Sequence, residues 1–376
     1  MKERQQLKKN ILLCGRSTDG GFKRNFTIEK CLPSGGSVLC YAAQNDQLGR
    51  GILKEFYPQD AYAMERNPEG QLVPAPGYEA MFQKFQKEEA EYVKNHELLL
   101  QAKHRNKNKE LDTFIPSFEI YYGCDEQKNK IGTTYIWSPE PELETFDKIC
   151  GEIHAQPGKN PEHKLVKVLC AMDSLAKCIQ VLHSEGMLHL DIKPSNFGFV
   201  KRGKETLTQA ISMFDINSVC SIYRVPEEFF GTKEYLEPEI KKQKPDIQTD
   251  IYAMGATLFQ AIVVTEETKQ GGYYYKTDYY DRIKELVDNS LLIRDSEANS
   301  HPRLRQALAT ILRKSLCRRR DRYENCEELL KDLDNALFYA LPSDIARKQR
   351  AGMKWMLVDV EEYFQKHQGS SSVVNP

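Results

Sequence analysis

The sequence predicts an α+β protein: a small antiparallel sheet with one main helix, followed by a larger, mostly helical part. Three observations lead to this prediction. Strand-like segments separated by turns run from Phe26 to Phe56, and aromatic residues recur at helical spacing over Tyr78–Gln101. An apolar stripe begins at Pro161 and has the length of a long packed helix. The stretch Asp250–Val264 is apolar on nearly all sides, which favours a helix in the middle of a large lobe.

Composition indicates a globular chain. Its 376 residues carry 53 Lys plus Arg against 54 Asp plus Glu, so no overall field favours nucleic acid as a partner. No apolar run is long enough to span a bilayer, and the charged start Met1–Gln6 lacks the apolar core of a signal peptide. The ten cysteines include no Cys-x-x-Cys pair. We therefore expect a cytoplasmic protein with reduced thiols and no membrane span. The sequence leaves the oligomeric state open.

The segment His189–Asn196 carries the clearest chemistry. It places a carboxylate, an ammonium and an amide within eight residues. Asp191 can accept the proton of an attacking hydroxyl, and Lys193 can neutralise charge on a moving phosphoryl group. Asn196 offers a carbonyl oxygen to a magnesium ion. This set indicates phosphoryl transfer.

The same segment resembles the catalytic loop of protein kinases, whose pattern is H-R-D-x-x-x-x-N. Lys193, two residues after Asp191, is the serine/threonine signature of that family. Over Phe26–Leu341 the chain resembles the bacterial-type (Hanks-type) serine/threonine protein kinase family. The resemblance implies a kinase-like bilobal fold, ATP and Mg2+ as cofactors, and transfer of the γ-phosphoryl group to a protein hydroxyl. The protein substrate can include the chain itself.

A glycine-containing turn between two strands resembles the kinase Gly-rich loop, because glycines let backbone N–H groups approach phosphates. It departs from G-x-G-x-x-G-x-V: Pro33 stands at the first Gly, Gly35 matches the second, Val38 replaces the third and Cys40 replaces the Val. The resemblance assigns nucleotide contacts to seven residues, namely Leu32, Gly35, Gly36, Cys40, Ile52, Lys54 and Glu88.

Lys54 lies in an apolar strand where kinases place the lysine of V-A-I-K. The family pairs that lysine with a glutamate of the next helix. Glu88 is the expected partner, and Glu89 is the alternative register. Ser138–Pro141 is expected to be the hinge that contacts adenine, with Trp137 or Ser138 as gatekeeper.

Two motifs follow the catalytic loop. Asp215 stands where the family carries D-F-G, with Ile216 for Phe and Asn217 for Gly. The resemblance makes Asp215 and Asn196 the magnesium ligands.

The second motif, Gly231–Glu239, resembles G-T-x-x-Y-x-A-P-E, with Glu237 for Ala. The resemblance implies that Thr232 orients the catalytic groups and that Glu239 pairs with a buried Arg322. It also implies that Asp250 accepts backbone N–H groups of the catalytic loop.

Leu190 occupies the place of the family's arginine, so no guanidinium is available there to bind a phosphorylated activation segment. We therefore expect that turnover does not require phosphate at Ser218, Ser221 or Tyr223. The aromatic stretch Gly271–Tyr275, with the following Tyr279–Tyr280, is expected to be a surface insert that can touch substrate.

The expected division is an N-terminal arm (1–24) with one short strand near Leu12, an N-lobe (25–138), a C-lobe (139–341) and a C-terminal tail (342–376). Two other functions remain open. The eroded Gly-rich loop and Asn217 suit a pseudokinase that acts as a nucleotide-binding scaffold. A small-molecule kinase of the aminoglycoside or choline type would share the Asp and Asn but lack Lys193 and the Gly231–Glu239 motif.

Overall fold

The computed structural model describes residues 4–7, 10–15, 23–34, 36–58, 64–68, 70–106, 110–124, 130–140, 142–202, 205–225, 231–296 and 301–341. These residues form two compact units. Those of unit 1 fall within 1–105 and 115–141, and those of unit 2 within 106–114 and 142–376. Gly35, Pro141 and the predicted tail 342–376 lie outside the described residues.

Unit 1 is built mainly from antiparallel strands. They are β1 Asn10–Gly15, β2 Lys23–Leu32, β3 Val38–Asn45, β4 Gly49–Phe56, β5 Met64–Arg66, β6 Leu72–Pro74, β7 Glu119–Cys124 and β8 Lys130–Pro139. Six of them close into a barrel in the order β1-β2-β3-β4-β8-β7, and β5 pairs with β6. The predicted hinge residues Ser138 and Pro139 are the last residues of β8.

The first strand closes this barrel, which the sequence did not predict. β1 lies within the predicted arm 1–24 and pairs with both β2 and β7. Ile11 and Leu13 are buried while Leu12 is 44% exposed, the alternation of a strand with one face on the core. Cys14 is disulfide-bonded, in contrast to the expectation of reduced thiols throughout.

Glu55 forms a polar centre inside the barrel. Its carboxylate is fully buried and accepts two hydrogen bonds from Arg66, at 2.8 and 2.7 Å. The hydroxyls of Tyr41 and Tyr135 each donate to it at 2.9 Å. Four donors thus offset the cost of burying this charge. Because successive strand residues point to opposite faces, Lys54 projects from the other face of β4.

Helix α1, Glu79–Arg105, supplies the main helix predicted for this unit. Its residues Phe85 and Tyr92 pack against Phe56, with ring centroids 5.4 and 4.9 Å away. Phe56 ends the strand that carries Lys54. The helix is therefore fixed to the strand of the predicted nucleotide-binding lysine.

Unit 2 is mostly helical, as predicted. Its helices are α2 Glu110–Phe114, α3 Phe146–Ala155, α4 Pro161–Ser184, α5 Ile247–Ile262, α6 Glu266–Gln270, α7 Ile283–Asn289, α8 Leu291–Arg294, α9 Pro302–Leu316 and α10 Cys326–Ala340. Its strands are β9 Leu143–Thr145, β10 Met187–Leu188, β11 Phe197–Arg202, β12 Glu205–Met213 and β13 Cys220–Ser221. In the part of the chain that the structure describes, no helix combines the length and apolarity that crossing a bilayer requires.

Helix α5 is the buried centre of unit 2. Asp246 caps its first turn by accepting from Gln248 N at 2.9 Å, and Thr249 closes a capping box by accepting from Asp246 N at 3.1 Å. At Gly255 an added Cβ would meet Ser315 of α9 at 2.4 Å. Only glycine allows α5 and α9 to pack this closely.

The aromatic region after α6 is packed rather than a surface insert, so that prediction was wrong. Tyr275 and Tyr279 are buried against Phe259 of α5, at centroid distances of 5.3 and 5.9 Å. Tyr273 stacks on His154 of α3 at 3.7 Å. Burial of large rings outweighs the polar, glycine-containing context that suggested a surface loop.

Candidate active site

The predicted catalytic loop lies between β10 and β11 of unit 2. Pro194–Asn196 forms a 3-10 turn that leads directly into β11. The strand pairing of β11 with β12 sets Phe197 opposite Met213, and Phe214 N donates to Asn196 O at 3.2 Å. This pairing places Asn196 beside the segment that carries Asp215.

Asp191 is held by four hydrogen bonds. Its Oδ1 accepts from Thr232 N at 3.1 Å and from Thr232 Oγ1 at 2.8 Å. Its Oδ2 accepts from Lys193 Nζ at 2.9 Å and from Asn196 Nδ2 at 2.8 Å. The Thr232 hydroxyl also accepts from Lys193 Nζ at 2.7 Å. All four predicted catalytic residues therefore form one network, with the Asp191 side chain still 13% exposed.

Asp250 fixes the backbone of this loop. Its fully buried carboxylate accepts from His189 N at 2.9 Å and from Leu190 N at 2.8 Å, as the sequence predicts. Leu190 needs this support because its φ of 63° lies in the left-handed region, which is unfavourable for a leucine. Burial alone would raise the pKa of Asp250, but the hydrogen bonds from His183 and the backbone outweigh it and lower that pKa.

The imidazole ring of His189 accepts a hydrogen bond from the backbone of the catalytic loop. Its Nδ1 accepts from Asp191 N at 3.3 Å, so this nitrogen carries no proton in that arrangement. Burial lowers the pKa of His189 against the opposing effect of Asp250 and other carboxylates. A neutral imidazole at this position therefore orients the peptide of the candidate base.

Two residues present oxygen atoms that suit magnesium. The amide nitrogen of Asn196 donates to both Asp191 O and Asp191 Oδ2, which fixes the orientation of its carbonyl oxygen. That oxygen has a long contact, 3.4 Å, with Ser195 Oγ. Asp215 accepts from Asn217 Nδ2 at 2.5 Å through its Oδ1. Carboxylate and amide oxygens are the hard donors that Mg2+ prefers, so this pair fits the predicted metal.

Four of the predicted nucleotide residues, Leu32, Cys40, Ile52 and Lys54, lie on three neighbouring strands of unit 1. In β4, Lys54 pairs across strands with Cys40 and with Ile136. Leu32 ends β2 opposite Cys40, and Ile52 lies two residues before Lys54. Gly36 has open space around it, because an added Cβ would meet no atom within 4 Å.

Two neighbouring glutamates of α1, Glu88 and Glu89, are the candidate partners of Lys54. Glu89 is buried and its carboxylate accepts from Thr134 Oγ1 and Lys130 Nζ, both at 2.7 Å. Glu88 is partly exposed and has Lys84 at 3.5 Å. Because Glu89 is engaged inside unit 1, Glu88 is the better candidate to pair with Lys54.

Leu190 packs in an apolar cluster with residues of the activation segment. It is 3% exposed and clusters with Leu188 and Cys220, which are paired across β10 and β13. Three partly buried side chains cover this cluster, Ile222, Val225 and Ile247. Apolar packing thus anchors the segment at the position where the family carries an arginine.

We expect the variant Ser218→Ala/Ser221→Ala/Tyr223→Phe to retain turnover within about twofold of wild type, because the apolar cluster needs no phosphate. Phenylalanine keeps the ring that lies over Gly186. Leu190→Ala is the contrasting variant and should lower turnover by weakening the cluster. The measurement is the initial rate of phosphoryl transfer. Loss of turnover in the triple variant would show that the segment requires modification.

Arg322 pairs with the predicted Glu239 only at a long distance, and its closer partner is Glu237, which the sequence did not predict. Arg322 Nη1 lies 2.6 Å from Glu237 Oε2, and both side chains are fully buried. Glu239 is 25% exposed and lies 3.9 Å from Arg322. Glu237 is also bound by Arg319 and by Thr249 Oγ1 at 2.6 Å. Glu237, which replaces the family's alanine, therefore makes the shorter ion pair with Arg322.

Two residues have roles that the sequence did not predict: His183 supports the catalytic loop through Asp250, and Arg319 binds Glu237. His183 Nε2 lies 2.8 Å from Asp250 Oδ2, and His183 Nδ1 lies 3.7 Å from Cys326 Sγ. His183 lies in Leu182–Leu188, the segment directly before the catalytic loop, and this position was the signal from which its role could have been predicted. Arg319 lies three residues before Arg322, but nothing in the local sequence distinguishes it from the neighbouring exposed arginines.

Known proteins with similar sequences carry the same kind of domain. Residues 153–333 match the family model described as the protein kinase domain. The serine/threonine-protein kinase PknD of Protochlamydia amoebophila is 23% identical over 327 residues, covering 78% of this chain and 31% of that protein. A probable serine/threonine-protein kinase PknB of Corynebacterium glutamicum is 25% identical over 160 residues, covering 42% of this chain and 24% of that protein. The chain thus spans a third or less of the length of these relatives.

Among solved structures, the BubR1 kinase domain is similar with a TM-score of 0.49 and 14% identity, covering 90% of this chain and 85% of that one. The matched residues 153–333 include the whole catalytic loop, Asp215 and Asp250. Residues 153–333 thus match a protein kinase domain, and the similarity to PknD and PknB supports the Hanks-type protein kinase family.

Proposed function

We propose that the chain is an ATP-dependent serine/threonine kinase that transfers the γ-phosphoryl group of MgATP to a hydroxyl of a protein. The arrangement around Asp191 is the observation that carries this proposal. Two carboxylate oxygens are each bound by two donors, from Thr232 on one side and from Lys193 and Asn196 on the other. A partly exposed carboxylate held in one orientation can meet the proton of an incoming hydroxyl.

Each residue has a step that suits its chemistry. Asp191 accepts the proton of the serine or threonine hydroxyl as its oxygen attacks the phosphorus. Lys193, 2.9 Å from Asp191, stabilises charge that develops on the transferred group. Thr232 holds both side chains through one hydroxyl, so it preserves their spacing during the reaction. Most of the rate enhancement would come from this positioning and from electrostatic stabilisation.

Asn196 and Asp215 would hold the magnesium ion. When bound, the metal neutralises charge on the phosphates of the nucleotide. We further propose that Lys54, aided by Glu88, binds those phosphates, and that Gly36 gives them access to backbone N–H groups. Leu32, Cys40 and Ile52 would then form apolar contacts with the nucleotide.

A nucleotide-binding scaffold is the second candidate. Asn217 replaces the family's glycine and its side chain donates to the Asp215 carboxylate at 2.5 Å. If this hydrogen bond persists with nucleotide present, it competes with the metal for that oxygen. Such a protein would bind ATP and transfer nothing.

The test uses the purified chain, γ-labelled MgATP and two peptide libraries that offer either serine and threonine or tyrosine as acceptor. We expect label on the serine/threonine library, with ADP formed in equal amount. Binding of ATP without label transfer to either library or to the chain would favour the scaffold. Transfer to tyrosine alone would contradict the proposed acceptor.

A further inference from the structure

Arg4 lies against the segment that we propose to bind phosphates. One guanidinium nitrogen, Nη1, donates to Gly36 O at 3.4 Å and to Val38 O at 3.1 Å. The same nitrogen donates to Tyr57 O at 2.6 Å. Arg4 therefore joins the Gly-containing turn after β2 to the residue that follows β4.

The residues next to Arg4 are bound firmly to the barrel. Arg66 donates to Gln5 O through Nε at 2.9 Å and through Nη2 at 2.7 Å. Leu7 is buried, and its N–H donates to Tyr41 OH at 3.2 Å. Both Arg66 and Tyr41 belong to the buried network around Glu55. The guanidinium of Arg4 is thus presented to the turn from a rigid support.

Other hydrogen bonds of the described residues also restrain the turn. Ser34 fixes its first half, because Oγ accepts from Cys40 N at 2.8 Å and donates to Leu32 O at 2.8 Å. In the second half, Tyr57 N donates to Ser37 O at 3.1 Å. Arg4 donates to the carbonyl oxygens of Gly36 and Val38, the residues on either side of Ser37.

These contacts have a direct consequence for the N–H groups of the turn. A carbonyl that accepts from a guanidinium is polarised, which makes the N–H of the same peptide a stronger donor. The peptide from Gly36 to Ser37 carries the Ser37 N–H of the turn, and the peptide from Val38 to Leu39 lies at the start of β3. Tyr57 lies three residues after Lys54, so the same guanidinium restrains both phosphate-binding elements.

We propose that Arg4 is a positioning residue for nucleotide binding: it orders the Gly36–Val38 turn and ties it to the strand of Lys54. This inference rests on the proposed function, since it assigns Arg4 to the ATP-binding step of that reaction. It predicts a specific defect in ATP affinity, because the acceptor peptide and the chemistry at Asp191 do not involve this turn.

The experiment compares wild type, Arg4→Ala, Arg4→Lys and the control Arg320→Ala, which removes an exposed arginine paired with Asp321 in unit 2. Calorimetry gives the Kd for MgATP, and steady-state rates give kcat and both KM values. For Arg4→Ala we expect the Kd and KM for ATP to rise about 5- to 10-fold, the effect of losing a charged hydrogen-bond group. The kcat and the KM for the peptide should stay within about twofold.

Arg4→Lys keeps the charge but not the fork of donors, so we expect an intermediate rise of about 2- to 4-fold in the Kd for ATP. If Arg4→Ala does not fold, the Kd of Arg4→Lys for MgATP is the test. Arg320→Ala should leave the Kd unchanged. A merely structural role would lower Tm and the active fraction but leave the Kd of the active molecules as in wild type, which would overturn the proposal.

The outcomes separate the two proposals. If wild type binds MgATP and Arg4→Ala and Arg4→Lys bind it equally well, the role of Arg4 is refuted and the proposed function stands. If wild type itself binds no MgATP, the proposed function is refuted, and the role of Arg4 with it.

Discussion

Replacing Asp191 by asparagine should lower kcat by about 10²- to 10⁴-fold, the contribution expected of a general base. The amide cannot take the proton of the attacking hydroxyl. Its NH2 group would also face donors in either orientation, because Thr232 donates to one oxygen of Asp191 and Lys193 and Asn196 to the other. Steady-state phosphorylation of the serine/threonine library gives kcat, and calorimetry should show a Kd for MgATP within about threefold of wild type.

Asp321→Asn is the matched control for this variant, since that carboxylate is 60% exposed and pairs only with Arg320 among the ion pairs of the described residues. It should leave kcat unchanged. Equal label transfer by wild type and Asp191→Asn would contradict the role of Asp191 as base and favour the scaffold.

Replacing Glu237 by alanine should destabilise unit 2 by about 3–5 kcal/mol, although alanine is the residue that the family pattern carries there. The substitution leaves the fully buried guanidinium of Arg322 with the more distant carboxylate of Glu239, and it removes one of the carboxylates that pair with Arg319. Chemical denaturation with urea, followed by circular dichroism, measures the loss in the free energy of unfolding. Glu239→Ala is the control and should cost below about 1 kcal/mol, because Glu239 is partly exposed and 3.9 Å from Arg322.

The ion pair between Glu237 and Arg322 should stabilise unit 2 less as the solution becomes acidic. Burial tends to raise the pKa of Glu237, but the hydrogen bonds from Arg319, Thr249 and Arg322 prevail and lower it below the ordinary 4.5. Its contribution to stability is therefore complete above pH 4.5 and is lost as pH falls through the lower, folded-state pKa. The difference between wild type and Glu237→Ala should shrink over that range. A small loss in the free energy of unfolding of Glu237→Ala at neutral pH would mean that Glu239 replaces Glu237 as the partner of Arg322.

The candidate catalytic loop could be recognised in the sequence because its polar residues lie close together in the chain. Asp191, Lys193 and Asn196 lie within six residues, and the 3-10 turn Pro194–Asn196 brings the amide back to the carboxylate. The roles of Thr232 and Asp250 came from the family resemblance, and the structure shows the hydrogen bonds that those roles require.

Features that depend on distant residues were not predictable in the same way. Closure of the barrel depends on the pairing of β1 with β7, more than a hundred residues apart in the chain. That Glu237 makes a closer ion pair with Arg322 than Glu239 depends on a contact across 85 residues. The burial of Tyr275 depends on where α5 places Phe259, which no local pattern reveals.

The role of Asp215 gives the most direct test of the central claim, that this constellation moves a phosphoryl group from MgATP. The measurement is single-turnover transfer of γ-labelled phosphate by wild type and Asp215→Asn over a range of Mg2+ concentrations. We expect transfer by wild type that requires Mg2+, and a loss of at least about 100-fold in the variant that added Mg2+ does not restore. Transfer at equal rates by both proteins, or by wild type without any divalent metal, would contradict it.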